Sequence, residues 1–396
     1  MSPLIKKPLD FISSIKLTII CLTAALLLVF AGTMAQVQYG IQIVQERYFQ
    51  SIFVWWPPGE TGGLRLPVFP GGHLIGAVLL VNLIAAHIRR FQWGWKKAGI
   101  QLTHAGLIIM LAGGLLTDLL SVESNMRITE GQTVNYSEDF DARELAIIDS
   151  SNPEYDQVTA IPGERLKAGS LITHENLPFS IMVRDAVQNS SLRMIGSAES
   201  GARPAASQGA GARIEMKQLP RVTGPDERDA LSAVIEIIPP ADGQPSQPGS
   251  LGTWLVSDAL AASQTVECGG RSWLIELRPR RHYKPFSLTL HDFTHERYPG
   301  TQIPKNFSSL VTLNDPDEGG AREVLIYMNH PLRHRGDTFY QAGFERTEDT
   351  TVLQVVHNPS VIAPYIACVI VGAGLLLQFS IHLAGFARRR KGAQVS

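Results

Sequence analysis

Eleven histidines and three cysteines carry most of the chemistry open to this 396-residue chain, and their spacing narrows what that chemistry is. No CxxC occurs, so there is neither a thioredoxin-like dithiol nor a CxxCH attachment site, and the chain is not itself a c-type cytochrome. HExxH is absent and no Cys/His cluster has zinc spacing, which argues against a zinc hydrolase. What remains is imidazole as a hydrogen-bonding group or a metal ligand. Histidines inside apolar runs count most, because an ionisable group in hydrocarbon is costly and usually functional. His104 follows Lys97 by seven residues, about 10 Å into one apolar run. His382 precedes Arg388 by six, about 9 Å into another. His87 is two residues from Arg89 and only about 3 Å deep. His104 and His382 therefore share a depth on different segments.

Each has a plainer reading. His104 could hydrogen-bond a threonine or carbonyl across a helix interface, and His87 and His382 could snorkel toward headgroups. His291 and His295 in 'LHDFTHERY' share a face on a helix or a strand alike, so their spacing settles nothing. His330 and His334 in 'NHPLRHRG' read as turn packing beside Pro331 and Gly336, with Asn329 and Pro331 ending a strand. Cys21 and Cys368 lie in apolar runs, which leaves Cys268 as a thiol ligand, an exchange partner or, more simply, a buried side chain.

The elements that must position these residues are membrane spans. Leu17–Ala35 carries no charge, and its nineteen residues reach about 28 Å. It is longer than a signal-peptide h-region, so a retained helix is expected. Leu74–Ala86 is short, thirteen apolar residues flanked by His73 and His87, and its periodicity also permits a re-entrant segment. Ile100–Leu120 holds Gly106, Gly113 and Gly114, small residues suited to close helix packing. Val361–Phe386 has Pro364 in its first turn, where a missing N–H costs little. Basic clusters at Lys6, Lys7 and Lys16, at Arg89–Lys97 and at Arg388–Lys391 fall on one side only if all four runs cross. The mean hydropathy of +0.04 hides this, because the apolar ends are diluted by a polar middle.

That middle is β-rich in character. 'ELAIIDS', 'SAVIEIIPP', 'SWLIEL', 'FSLTLHDF', 'SSLVTL', 'EVLIYM' and 'TTVLQVV' are short alternating or β-branched stretches between turn signals. Residues 196–229, rich in Ala, Ser, Gly and Pro, are expected to be a flexible insertion. The expected fold is four transmembrane α-helices plus a large β-rich extracytoplasmic domain inserted between helices 3 and 4. Its parts are an N-terminal membrane region at 1–120 (spans about 17–35, 74–88 and 100–120), the outer domain at 121–358, and a membrane helix with a basic cytoplasmic tail at 359–396. The formal charge of −1 gives no basic field, so nucleic acid is not a partner.

Several motifs occur together and in order: 'FISSIKLTIICL', 'LTHAGLIIMLAGGLLTD' with 'ITEGQTV', 'FSLTLHDFTHERYPGTQIPKNFSSLVTLND', 'YMNHPLRHRGDTFYQAGFE', and 'HNPS' before the last run. This set resembles the ResB-like (CcsB) cytochrome c biogenesis proteins, weakly over about 150–230. The resemblance implies a membrane subunit of the system II cytochrome c synthetase, not a complete haem-lyase by itself. Such a subunit handles haem b transiently with a ResC/CcsA-like partner and delivers it to apocytochrome c. This chain has no WWD-type segment, since Trp55 and Trp56 in 'FVWWPPGE' lack that context, so the partner would be a separate polypeptide. The candidate haem-binding residues are then His104, His382 and His87, with His104 foremost for the iron and a second ligand from the partner; no catalytic residue is assigned. The implied location is a bacterial inner membrane, multi-pass, with both ends cytoplasmic and the large domain periplasmic. Two other functions fit the residues: a b-type membrane redox protein using His104 with His382, and a cofactor-free scaffold whose β domain binds partners.

Overall fold

A computed structural model describes residues 9–56, 66–92, 94–196, 203–222, 228–239, 249–260, 263–300, 304–344 and 349–393. Among the described residues, four helices are long and apolar enough to cross a membrane, as in a multi-pass membrane protein. They are α1 (Ile15–Tyr39), α2 (Gly72–Arg89), α3 (Ala98–Leu120) and α4 (Ala363–Ala393). The second run is therefore eighteen helical residues, not thirteen, and reaches about 27 Å. The helix simply continues through His73 at one end and His87–Arg89 at the other, where an apolar count stops. Ser14 caps α1 by accepting from the Leu17 N–H at 3.2 Å, and Gly40, at φ 77°, ends it.

Polar locks tie α1 to α2. Buried Asn82 accepts from Thr18 Oγ1 at 2.6 Å and donates to the carbonyls of Ile12 and Ser14. Arg89 pairs with Asp10 and donates to Ser13 Oγ. Between α3 and α4 the contact is steric. A Cβ added at Gly99, Gly106 or Gly113 would stand 2.6 Å from Gln378, Val371 or Ala363 respectively. Glycines seven apart thus form one stripe that admits the α4 backbone. Gly114, expected to join them, points instead into open space.

The β domain forms a unit of its own, residues 123–222 and 226–356. Its spine is the strand Arg271–Arg297, which merges the expected 'SWLIEL' and 'FSLTLHDF' strands into one of 27 residues. It pairs antiparallel with Thr133–Asp149 on one side and Pro304–Asp315 on the other, within a ten-stranded sheet. Register shifts next to Pro279, and again between Tyr283 and Leu288, interrupt its pairing with Thr133–Asp149. The same strand serves two apolar cores. One holds Ile147, Ile181, Ile235, Trp273 and Ile275; the other holds Met126, Leu288, Leu290, Val311, Phe339 and Leu353. Inward alternation through Phe286, Leu288 and Leu290 then slips by one residue at a bulge between Leu290 and Asp292, so Phe293 is the next buried side chain.

The stretch expected to be a flexible insertion is folded over its described part. Ile214–Gln218 pairs with Ser190–Met194, and Ala206, Ile214 and Leu255 are buried together. Small residues there allow close approach: a Cβ on Gly211 would meet Ala206 and Leu255 at 2.6 and 2.8 Å. The remaining parts of 196–229, residues 197–202 and 223–227, lie outside the described residues.

Candidate functional site

The three histidines singled out by the sequence are not arranged as their depths suggest. His104 on α3 faces His87 on α2: their ring centroids are 6.2 Å apart and the planes lie within 26° of parallel. Phe91 also meets His87 edge-on, with centroids 5.9 Å apart. His382, on α4, is exposed and takes up Gln378 one turn earlier at 2.9 Å. The structure thus brings together His87 and His104 rather than the depth-matched His104 and His382.

The surroundings of His104 suit iron ligation. Its Nδ1 lies 2.8 Å from the carbonyl oxygen of Ile100, one turn back on α3. A carbonyl only accepts, so Nδ1 carries the proton of the neutral ring and the Nε2 lone pair is left for a metal. A backbone carbonyl that fixes tautomer and ring orientation is the usual support for a metal-bound histidine. Both His87 and His104 are half-buried. On His382, by contrast, the Gln378 amide N–H donates to Nε2 and occupies that lone pair.

A second polar constellation escaped the sequence reading. His73, at the start of α2, meets Asp118, near the end of α3, with Nε2 2.5 Å from Oδ2. Gln50 donates to the other carboxylate oxygen at 3.1 Å. The signal was present in the third run, because an acid within an apolar segment is a site by default; the glycines of that run drew the reading to packing instead.

In the β domain, four histidines make packing or hydrogen-bond contacts within the fold. His291 contacts Thr312 Oγ1 at 2.6 Å from the bulge. His295 lies among Phe307 and Phe344, at centroid distances of 4.9 and 4.4 Å. His330 stacks on Tyr327 at 4.7 Å. His334 is buried and 2.7 Å from Asp315, whose carboxylate also takes two hydrogen bonds from Arg335 at 2.6 and 2.8 Å. Asp315, Glu318 and His334 could surround a cation, but Arg335 already supplies the positive charge there. The group pins a turn in which Arg335 and Gly336 have φ of 46° and 84°. Burial pushes the Asp315 carboxyl up, but the His334 contact, the Asp317 N–H and Arg335 outweigh it and hold it below the usual carboxylate range. Gln341, in the 'DTFYQAGFE' block, bonds Ser309 and Thr351 inside the sheet, as a core strand would. Cys268 is buried and in no disulfide.

Comparison with known proteins agrees with the motifs. The model of the ResB-like family matches residues 78–183 and 269–351, a little under half of the chain. The match takes in residues 150–183, where the motifs are weak, and leaves out 184–268. Protein NrfI of Wolinella succinogenes is 34% identical over 110 residues, covering 26% of this chain and 12% of that protein. The cytochrome c biogenesis protein CcsB of Synechococcus sp. (strain RCC307) is 44% identical over 55 residues, 14% of this chain and 12% of its own length. CcsB of Synechococcus sp. (strain CC9311) is 38% identical over 78 residues, 20% and 17% respectively. The aligned stretches thus span less than a fifth of any of these relatives.

Proposed function

We propose that this chain, which is ResB-like, acts in cytochrome c maturation as a haem-handling membrane subunit, with His104 as an axial ligand. The observation that carries the reading is the Nδ1 contact of His104 with Ile100, which leaves Nε2 free at a half-buried position. When bound, haem supplies the iron that imidazole ligates and the vinyl groups that apocytochrome thiols attack. The chain's own contribution is positional: holding and orienting the group where water is scarce. No nucleophile or base is required of it. The match to the ResB-like family and the names of the CcsB relatives support the pathway.

On this reading a ResC/CcsA-like, WWD-bearing membrane protein provides the second ligand, and apocytochrome c is the acceptor. By the same reading both chain ends lie in the cytoplasm of a bacterial inner membrane and the β domain, between α3 and α4 in the chain, in the periplasm, which the three basic clusters support. A second reading, a b-type haem held within one subunit, is favoured by a specific observation: His87 faces His104. Under it His87, not His382, completes the pair.

The test is the visible spectrum of the full chain co-purified with a ResC-like partner, then with His104→Ala, His87→Ala and His382→Ala. Delivery with a shared ligand predicts a bis-histidine spectrum that His104→Ala weakens and imidazole restores, with His87→Ala and His382→Ala unchanged. Equal loss in His87→Ala, with haem retained when the partner is omitted, selects the single-subunit reading. An unchanged spectrum in His104→Ala rejects both, and haem-free preparations throughout leave the scaffold.

A further inference from the structure

The α2–α3 pair has a second opening at the end away from His87 and His104. Along α2, His73 lies fourteen residues before His87, or about 21 Å, so the two places are separate. A cavity of about 410 Å³ lies here, within the size range of small-molecule sites. Leu80, Met110, Leu111 and Leu115 make its walls apolar, and His73 and Asp118 lie at its polar end. Gly76 on α2 and Gly114 on α3 both line it, and a Cβ added to either meets nothing within 4 Å. Two open glycines on facing helices leave a slot that a flat ring fills and a branched chain does not.

Charge narrows the occupant further. Among the described residues no lysine or arginine lines the cavity, so a phosphate or a propionate would face the Asp118 carboxylate without compensation. The ligand is therefore not an anion. Its polar groups must meet an imidazole–carboxylate pair whose side chains remain about one-third accessible, 34% for His73 and 29% for Asp118. The Nε2 of His73 is engaged by Asp118, which leaves Nδ1 to act as donor or acceptor according to the ring's protonation.

We propose that this cavity binds the ring headgroup of an isoprenoid quinone or hydroquinone, with a ring oxygen against the His73–Asp118 pair and the ring between Gly76 and Gly114. Such molecules are neutral, membrane-soluble, planar at the head and apolar in the tail, which matches a polar end, a flat slot and leucine walls in that order. The site is independent of the haem reading, because it shares no residue with His87 or His104.

The experiment uses the full chain in phosphatidylcholine nanodiscs, photolabelled with an azido-ubiquinone and mapped by peptide mass spectrometry. The expected result is saturable labelling of α2 and α3 peptides, suppressed by excess decylubiquinol but not by dioleoylglycerol. Gly114→Leu should lower it at least tenfold and Asp118→Asn several-fold. Gly76→Leu, from the opposite wall, provides a second slot-filling variant should Gly114→Leu fail to give folded protein. His104→Ala should label like the parent, whatever it does to a haem spectrum. Labelling that dioleoylglycerol suppresses equally, or that both glycine variants leave unchanged, overturns the proposal.

Discussion

The third helix meets its two neighbours in opposite ways. Toward α4 it presents Gly99, Gly106 and Gly113, and the backbones approach until no Cβ would fit. Toward α2 it presents His104 at one end, Asp118 at the other and an open groove between Met110 and Leu115. One face is closed by shape alone, with dispersion and close approach as its cohesion. The other is left loose and polar, at a cost that only a ligand or partner would repay. In a chain of this kind, tight packing marks the scaffold, and poor packing beside ionisable groups marks where function should be sought.

The adjacent residues Gly113 and Gly114 lie one on each face of α3. Gly113→Val should destabilise the helices by about 1–3 kcal/mol, as overpacking does, because its Cβ alone would sit 2.6 Å from that of Ala363. Gly114→Val should stay within about 0.5 kcal/mol of the parent, as open positions do. Thermal unfolding of the detergent-solubilised full chain, followed by loss of the monodisperse species, reads both. Equal effects would mean that the two faces do not differ.

Asn82→Leu asks whether polar locks matter as much as shape. It removes one accepted and two donated hydrogen bonds between α2 and the start of α1. A loss of about 1 kcal/mol is expected, near the scale measured for hydrogen bonds between membrane helices, and the same thermal assay reads it. No measurable loss would show that α1 is held by apolar contact alone.

The β domain supplies a test by pH. The Asp315 carboxyl is depressed in the folded state, so its stabilisation is present above the unfolded value and fades as pH falls through the folded one. Acidification below the ordinary carboxylate range should therefore lower the unfolding temperature of the parent. Asp315→Asn should flatten that limb, and an unchanged acid limb would show that the His334–Arg335 group does not couple to folding.

The legible parts of this protein were those set by local pattern. Apolar length located α1, α3 and α4, and short alternating or β-branched runs between turn signals located every strand named from the sequence. Where polar residues sit within an element, the pattern misjudged its extent. α2 gained a turn beyond its apolar core, and two strands proved to be one, continuous through Pro279 and a bulge. Low-complexity composition at 203–222 read as flexible, although small residues pack closely against Leu255 there.

Residue type and order alone determined the membrane character, the β-rich middle, the ResB-like motifs and the candidacy of His104. Depth along a helix is linear in residue number, so they also placed His104 and His382 at one level. Only the tertiary structure decided rotation about each helix axis. That rotation turns His104 toward His87, sets Gly113 against α4 and Gly114 into a groove, and joins His73 to Asp118 across 45 residues of chain. A residue's face toward a neighbour depends on which helix lies beside it, and that choice is made by packing between segments distant in the chain.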